Sequence, residues 1–529
     1  MTRPPFAAAV STAADLANRT GLLDPRRAPA IAAAVARWGP TVAAPYVASA
    51  IVTPRRPAII DDEGSLSFQQ LDRQSTGLAK GLHRIGASRG SRLGVMCRNH
   101  RDFLELTVAA AKAGVGVVYL NTSFGAPQLH EVIQREGVSA LAVDADLSHL
   151  VDLEHVDLPV IVTGRTAVGA GTLTMDSVRQ NSPFRLPLRA SMMIAPVLLT
   201  SGTTGTPKGA QRSNRVDPAA ATGIIERIPY RHDDVIAITS PLFHAWGLAQ
   251  LLLASSLGAT AVVSRTFDPE RTLELIAREN VTVVAVVPAI LQRLLASPTL
   301  DDTDLSRLRI TASSGSALPV PAVVEWLDRV GPNLYNLYGS TEVGQATLAD
   351  PEDLTAAPST AGRAMPGSIV AVLDDDGVEV EPGTVGRIFV GNRAQFDGYT
   401  GGGGKEIVDG LMSSGDVGHL DASGLLFVTG RADDMIISGG ENVFPQEVED
   451  LLLTHPAVAD VAVVGVDDDR FGQRLAVYAV VHDGARVSAA TLKQLVSKHL
   501  ARHKTPRDVH FVDHLPRTAT GKLRRNELV

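Results

Sequence analysis

The run Thr200-Ser201-Gly202-Thr203-Thr204-Gly205-Thr206-Pro207-Lys208-Gly209 gathers hydroxyl and glycine positions beside one lysine in a density that side-chain packing does not call for. Such a loop offers backbone N–H groups, five hydroxyls and an ammonium, a donor set suited to a nucleotide triphosphate. The apolar residues 192–199 predict a short buried strand ahead of it, so that the loop leaves the edge of a sheet with its N–H groups free. The spacing is not that of the common phosphate loop, which has Gly, four residues, then Gly-Lys-Ser/Thr. Counted from Gly202, Pro207 stands where the second Gly belongs, and Gly209 follows Lys208 in place of a hydroxyl residue. A flexible loop without a ligand is the plain alternative; the donors favour another class of nucleotide loop.

Further along, Asn336-Leu337-Tyr338-Gly339-Ser340-Thr341-Glu342 supplies an aromatic face at Tyr338 and a hydroxyl at Thr341. Glu342 adds a hard oxygen ligand of the kind Mg²⁺ accepts alongside substrate phosphate. Before it, a predicted strand ends in Gly315, Ser316 and Ala317, small residues that let a flat ring approach the backbone; a plain loop is the other reading. His244 lies between Phe243 and Trp246 with Gly247 following, and taken alone it reads as a satisfied core histidine. Gly439-Gly440 lets a thin extended ligand pass close to backbone. The tail carries Pro516-Arg517-Thr518-Ala519-Thr520-Gly521-Lys522.

In this order the motifs resemble the acyl- and aryl-CoA synthetases of the adenylate-forming superfamily, which also holds peptide-synthetase adenylation domains and beetle luciferases. The resemblance covers residues 50–529. It implies a ligase that uses ATP, Mg²⁺ and CoA to join a small-molecule carboxylic acid to AMP with loss of pyrophosphate, then to pass the acyl group to the CoA thiol. In that reading Thr200, Ser201, Gly202, Thr203, Thr204 and Lys208 hold the outer phosphates, and Gly315, Ser316, Ala317, Asn336, Tyr338 and Gly339 line the adenine and acyl sites. Thr341 and Glu342 serve the metal and phosphates, Asp416 and Arg431 the ribose hydroxyls. His244 becomes a gate beside the acyl pocket, Gly439 and Gly440 border the pantetheine tunnel, and Lys522 is the catalytic lysine. Asp433 and Asp434 form a hinge on which the C-terminal domain turns between the two half-reactions. The resemblance favours a fatty acid; an acyl-AMP ligase feeding a carrier protein is the first rival, followed by a luciferase-like oxygenase and a silent nucleotide-binding protein. Two departures stand out: Ser414, where the family more often has Thr, and the segment 398–405 with Gly401-Gly402-Gly403-Gly404, readable as a lid or as a solvent loop.

The elements that must hold these groups follow from the pattern. Strands expected at residues 92–97, 115–120, 235–239 and 282–287 alternate with helices at 103–113 and 127–136, the rhythm of parallel sheets covered by helices. The expected fold is α/β: a large N-terminal domain at residues 51–430 with parallel and mixed sheets and a small β subdomain, and a small mobile α+β domain at 431–529. Residues 1–50 form an Ala-rich helical extension that either docks on the body or meets a membrane surface. The 529-residue chain has 45% hydrophobic residues, a net charge of −8 and a single cysteine, Cys97. That excludes intrachain disulfides, disfavours nucleic-acid binding and points to a reducing, cytoplasmic setting. A signal peptide and a membrane span are not expected; peripheral membrane contact and a homodimer are left open. Residues 493–525 hold nine Lys/Arg against two Asp, either a solvated face or a landing surface for the phosphates of CoA.

Overall fold

The computed structural model describes the chain apart from residues 1–15, 22–23, 152–156, 165–170, 181–195, 201–207, 212–217, 439–440, 469–471, 519–520 and 529. The chain forms two compact units. One contains Met1–Val286, Ser297–Ala312 and Ala394–Gly404; the other contains Val287–Ala296, Ser313–Arg393 and Lys405–Val529.

In the first unit an eight-stranded sheet runs in the order Gly398–Tyr399, Lys208–Gln211, Val197–Thr200, Gly116–Tyr119, Arg92–Met96, Val138–Asp144, Val160–Thr163, Leu173–Thr174. Its central pairs are parallel. Gly116–Tyr119 and Val160–Thr163 are buried at every position, which is why they read as continuous apolar runs rather than alternating ones. Further parallel pairing joins Val235–Ile238 to Thr260–Val262 and Val283–Val286, and Thr260–Val262 to Pro57–Asp61. The helices between these strands begin on local signals. Ser67 and Gln70 form a reciprocal capping box for Phe68–Arg84, and Asp268 caps Pro269–Arg278. Gly114 and Gly258 end two others in the left-handed conformation at φ 72° and 67°.

The described helices of the expected N-terminal extension lie against their own unit. Helices Arg27–Trp38 and Ala43–Val52 pack on the same unit, with Trp38 only 4% exposed and the Tyr46 ring 6.2 Å from that of Phe68. Among the described residues no helix is long and apolar enough to cross a membrane.

One expectation needs correcting. The strand before the phosphate loop, Val197–Thr200, does not lie at a sheet edge: Gly116–Tyr119 flanks it on one side and Lys208–Gln211 on the other. The chain returns antiparallel after the loop, so the strand that carries Lys208 covers the edge, and Gly398–Tyr399 covers that strand in turn.

In the second unit Leu334–Ser340, Gly344–Ala349 and Arg363–Ala364 pair antiparallel. The expected small β subdomain is a five-stranded antiparallel sheet of Ile369–Leu373, Gly386–Gly391, Ile407–Val408, Leu411–Leu420 and Leu426–Arg431. Beyond it a second five-stranded sheet centres on the long hairpin Val458–Asp468 with Gly472–Val481. Helices Pro445–Leu453 and Ala489–His499 close a core of Val448, Leu452, Val461, Val463, Val477, Leu492 and Val496 over it.

Candidate active site

Strand Leu334–Ser340 alternates its side chains, so Asn336 and Tyr338 share one face while Leu337 is buried on the other. A register shift after Tyr338 turns the chain, and Gly339 is required there: a Cβ would lie 2.1 Å from the Gly344 carbonyl oxygen. The Ser340 hydroxyl then accepts the N–H groups of Glu342 and Val343, both at 3.2 Å, fixing the turn that presents Thr341 and Glu342 half-buried.

Asp416 comes from strand Leu411–Leu420 and sits opposite Arg431 across the antiparallel pair with Leu426–Arg431. It accepts the Tyr338 hydroxyl at 2.6 Å on one oxygen and an Arg431 N–H at 3.3 Å on the other. Burial raises the Asp416 carboxyl above the ordinary range, against the opposing pull of Tyr338, Arg431, Lys522 and Lys405. Burial and the same carboxylate push the Tyr338 phenol well above its usual value. Ser414 does what a threonine would: its hydroxyl donates to the Ile388 carbonyl at 2.9 Å and accepts the Asp416 N–H at 3.0 Å. Gly415 is held at φ 81°, and an added Cβ would lie 3.2 Å from both an Arg431 nitrogen and Lys405 Nζ. Glycine thus lets two cations close on the carboxylate.

The Lys522 charge also bears on Asp416. The Thr518 N–H donates to the Lys522 carbonyl at 2.8 Å, and the Thr518 hydroxyl accepts the Lys522 N–H at 3.1 Å. Two arginines bracket this turn. Arg517 makes a bidentate pair with Asp460 at 2.7 and 2.9 Å, and Arg525 binds Glu449 at 2.5 Å and reaches Asp434 at 3.6 Å. Burial and then the Arg431 charge lower the Lys522 pKa, while Asp434, Asp416 and Glu342 oppose them, so the ammonium lies within electrostatic range of all four. Tyr338, Asp416 and Arg431 thus share hydrogen bonds, and the charges of Asp416, Arg431 and Glu342 bear on Lys522. The structure adds Lys405, which sequence reasoning missed, because a lysine after four glycines looks like a solvated linker.

The other expected residues are placed as follows. Thr200 ends its strand and pairs with Lys208 across the hairpin, while Ser201, Gly202, Thr203 and Thr204 lie outside the described residues. Gly315, held at φ 103°, Ser316 and Ala317 are exposed directly after the buried strand Ile310–Ser314. His244 occupies the N-cap position of helix Ala245–Leu257 without capping it, its ring 4.5 Å from that of Phe243. Its Nε2 is buried with no hydrogen-bond partner among the described residues, and burial lowers its pKa to about 4, so the ring is neutral near pH 7. A satisfied core histidine is thereby set aside, and an orphaned buried nitrogen fits a residue that meets a ligand. Ser438 pairs with Glu441, and Gly439 and Gly440 between them lie outside the described residues. Asp433 is exposed in the turn after Arg431.

The basic run near the C-terminus is largely neutralised within its own unit. Besides Arg517 and Arg525, Lys504 pairs with Glu447 at 2.5 Å, Arg524 with Glu527 at 2.9 Å and Arg507 with Asp468 at 3.6 Å. A separate buried group, Cys97, His100 and Asp144, has metal-ligand types in reach of one another. Its hydrogen bonds are already committed: His100 Nε2 meets Asp144 at 2.7 Å, Asp144 also accepts Thr163 at 2.6 Å, and His100 Nδ1 accepts the Asp102 N–H at the start of a helix.

With this geometry in place, the family model "AMP-binding enzyme" matches residues 47–400, and "AMP-binding enzyme C-terminal domain" matches 447–522. The chain belongs to the AMP-binding enzyme family. Curated relatives of this AMP-binding enzyme include the indoleacetate–CoA ligase of Aromatoleum aromaticum, 34% identical over 90% of this chain and 95% of the relative. The fatty acid–[acyl-carrier-protein] ligase ScoC of Streptomyces coeruleorubidus is 30% identical over 90% of this chain and 93% of its own. Among solved structures, the o-succinylbenzoate CoA synthetase MenE of Bacillus subtilis in complex with the acyl-adenylate intermediate OSB-AMP superposes with a TM-score of 0.79. It is 28% identical and covers 92% of this chain and 97% of MenE. Like these enzymes, this AMP-binding enzyme has a large mixed α/β portion and a smaller C-terminal one.

Proposed function

We propose that this AMP-binding enzyme is an ATP-dependent acid–CoA ligase that forms an acyl-adenylate and then a thioester. The observation that supports the reading is the braced turn that holds Lys522 within electrostatic range of Asp416, Arg431 and Glu342. In the first half-reaction a carboxylate oxygen of the acid attacks the α-phosphorus of ATP, and the bond to the β-phosphate oxygen breaks, releasing pyrophosphate. Two anions meet in that step, so it needs positioned positive charge and no general base. Asp416 accepts the ribose hydroxyls, Tyr338 offers its ring to adenine, and Lys208 takes the outer phosphates. Lys522 bridges the carboxylate and the α-phosphate. Glu342, a half-buried carboxylate on a fixed turn, suits Mg²⁺, which binds through one or two carboxylates plus phosphate oxygens and would supply charge neutralisation there. In the second half-reaction the CoA thiol attacks the acyl carbon, AMP leaves, and the thiol proton is released.

The lysine occupies the ground the thiol needs. We assign residues 431–529 to a mobile domain that turns about Asp433 and Asp434, removing Lys522 and bringing the segment with Gly439 and Gly440 toward the acyl group. Gly521 gives a direct test of the first position. It is held at φ 78°, and an added Cβ would stand 2.5 Å from that of Ala289 in helix Pro288–Leu295. Gly521→Ala therefore meets a left-handed backbone penalty of about 1–2 kcal/mol before any steric cost. Pyrophosphate exchange should fall by about 5- to 30-fold, while thioester formation from supplied acyl-AMP stays near native; equal losses would count against the assignment.

The fatty-acid preference drawn from the sequence is withdrawn, because relatives of similar identity are named for indoleacetate and o-succinylbenzoate as well as for a fatty acid. A carboxylic acid bearing a ring is the class these neighbours support. ScoC keeps the carrier-protein reading as the rival. Indolyl, aryl and aliphatic acids, each given with ATP and followed by pyrophosphate release with and without CoA, test both points. Ring-bearing acids should turn over fastest and yield CoA thioesters. Adenylate that accumulates in the presence of CoA and is discharged only by a carrier protein would establish the rival.

A further inference from the structure

The departure at residues 398–405 has a defined place. Its first two residues form a strand, Gly398–Tyr399, paired antiparallel to Lys208–Gln211, with Tyr399 opposite Ala210. This sets the Tyr399 ring under the Lys208 ammonium, 5.6 Å from Nζ to the ring centroid. Phe396 meets that ring edge-on, with centroids 4.8 Å apart and planes at 70°, and so fixes its tilt. The next residue secures the backbone. Thr400, 7% exposed, donates its N–H to the Gly209 carbonyl at 2.8 Å and accepts the Gly209 N–H on its hydroxyl oxygen at 3.0 Å. The same hydroxyl donates to Glu136 at 2.7 Å, a buried carboxylate also held by Arg135 at 2.9 Å. Gly209 is what permits the approach, since a Cβ there would lie 2.6 Å from both Thr400 Oγ1 and Val197 Cγ1.

A lysine side chain has four rotatable bonds, and ordering it against a phosphate carries an entropic cost that a pre-set ammonium avoids. We infer that Tyr399 and Thr400 are positioning residues for Lys208: the ring holds the ammonium by a cation–π contact while the hydroxyl clamps the adjoining peptide. The segment is thus neither lid nor solvent loop at its base; only Gly401–404 are left exposed. The inference rests on the reading of Lys208 as the cation for the outer phosphates.

Full-length protein carrying Tyr399→Leu, Tyr399→Phe, Lys208→Ala and the double change Lys208→Ala with Tyr399→Leu would be titrated with ATP. Loss of the ring should weaken ATP binding by about 2- to 30-fold, with affinity for the acid unmoved, and Tyr399→Phe should bind within about 2-fold of native. In the Lys208→Ala background Tyr399→Leu should add less than about 2-fold, the coupling a merely structural tyrosine would not show. Equal loss in both backgrounds overturns the inference, as does native affinity in Tyr399→Leu. Native ATP binding by Lys208→Ala removes the reading of Lys208 itself, and the clamp with it. Should Tyr399→Leu fail to fold, Tyr399→Met, which keeps the bulk without the ring face, carries the same expectations.

Discussion

Lys522→Ala should lower ATP–pyrophosphate exchange by about 10²- to 10³-fold, the usual consequence of removing one preorganised donor from a site of developing negative charge. Thioester formation from preformed acyl-AMP should stay within a few-fold of native, because the ammonium has no task in the second half-reaction. Measuring both on one protein preparation decides it, since equal losses would mean that Lys522 supports the fold rather than the chemistry. A pH profile sharpens the result. Burial lowers the Lys522 pKa, and the ammonium acts only while protonated. Adenylation should therefore be intact on the acid side and fail on the alkaline side at a lower pH than a solvated lysine would dictate, while the thioester step shows no such limb. Lys522→Arg, where any activity remains, should lose that limb, because guanidinium stays protonated throughout.

Asp416→Ala should be the most damaging change to nucleotide binding. Hydrogen bonds to a charged group contribute about 1.5–3 kcal/mol each, so losing two acceptors for the ribose should weaken ATP by about 10²- to 10⁴-fold. Stability should suffer too, because Arg431 and the Tyr338 hydroxyl lose their shared partner in a buried place. Asp416→Asn separates the two effects: it keeps one carbonyl acceptor and most of the packing, so its melting temperature should lie nearer native than its ATP affinity does. Native-like ATP binding in either variant would remove Asp416 from the ribose site.

What the sequence disclosed and what it hid differ in how far the partners lie along the chain. Helix starts such as Ser67 with Gln70 were readable because cap and recipient are three residues apart. The proposed chemical groups were singled out for a different reason: Lys522, Glu342 and Asp416 sit in short runs of glycine and hydroxyl residues that few other jobs require. The edge assignment of the strand before the phosphate loop failed because the strand that finally covers that edge, Gly398–Tyr399, pairs with residues nearly two hundred positions earlier. Lys405 was invisible for the same reason: nothing local says that Gly415 will leave it room beside Asp416. The positive run near the C-terminus was open to two readings, a solvated face or a landing surface, and its neutralising acids, Glu447, Glu449, Asp460 and Asp468, come from the preceding helix and hairpin.

The two arginines beside Lys522 carry an implication for engineering. Because Arg517 is seated on Asp460 and Arg525 on Glu449, the lysine-bearing turn is fixed to the helix and hairpin that carry those carboxylates. A terminal peptide transplanted from a cousin would consequently bring the right cation yet miss its mark, unless the recipient also offered carboxylate sockets at those two places.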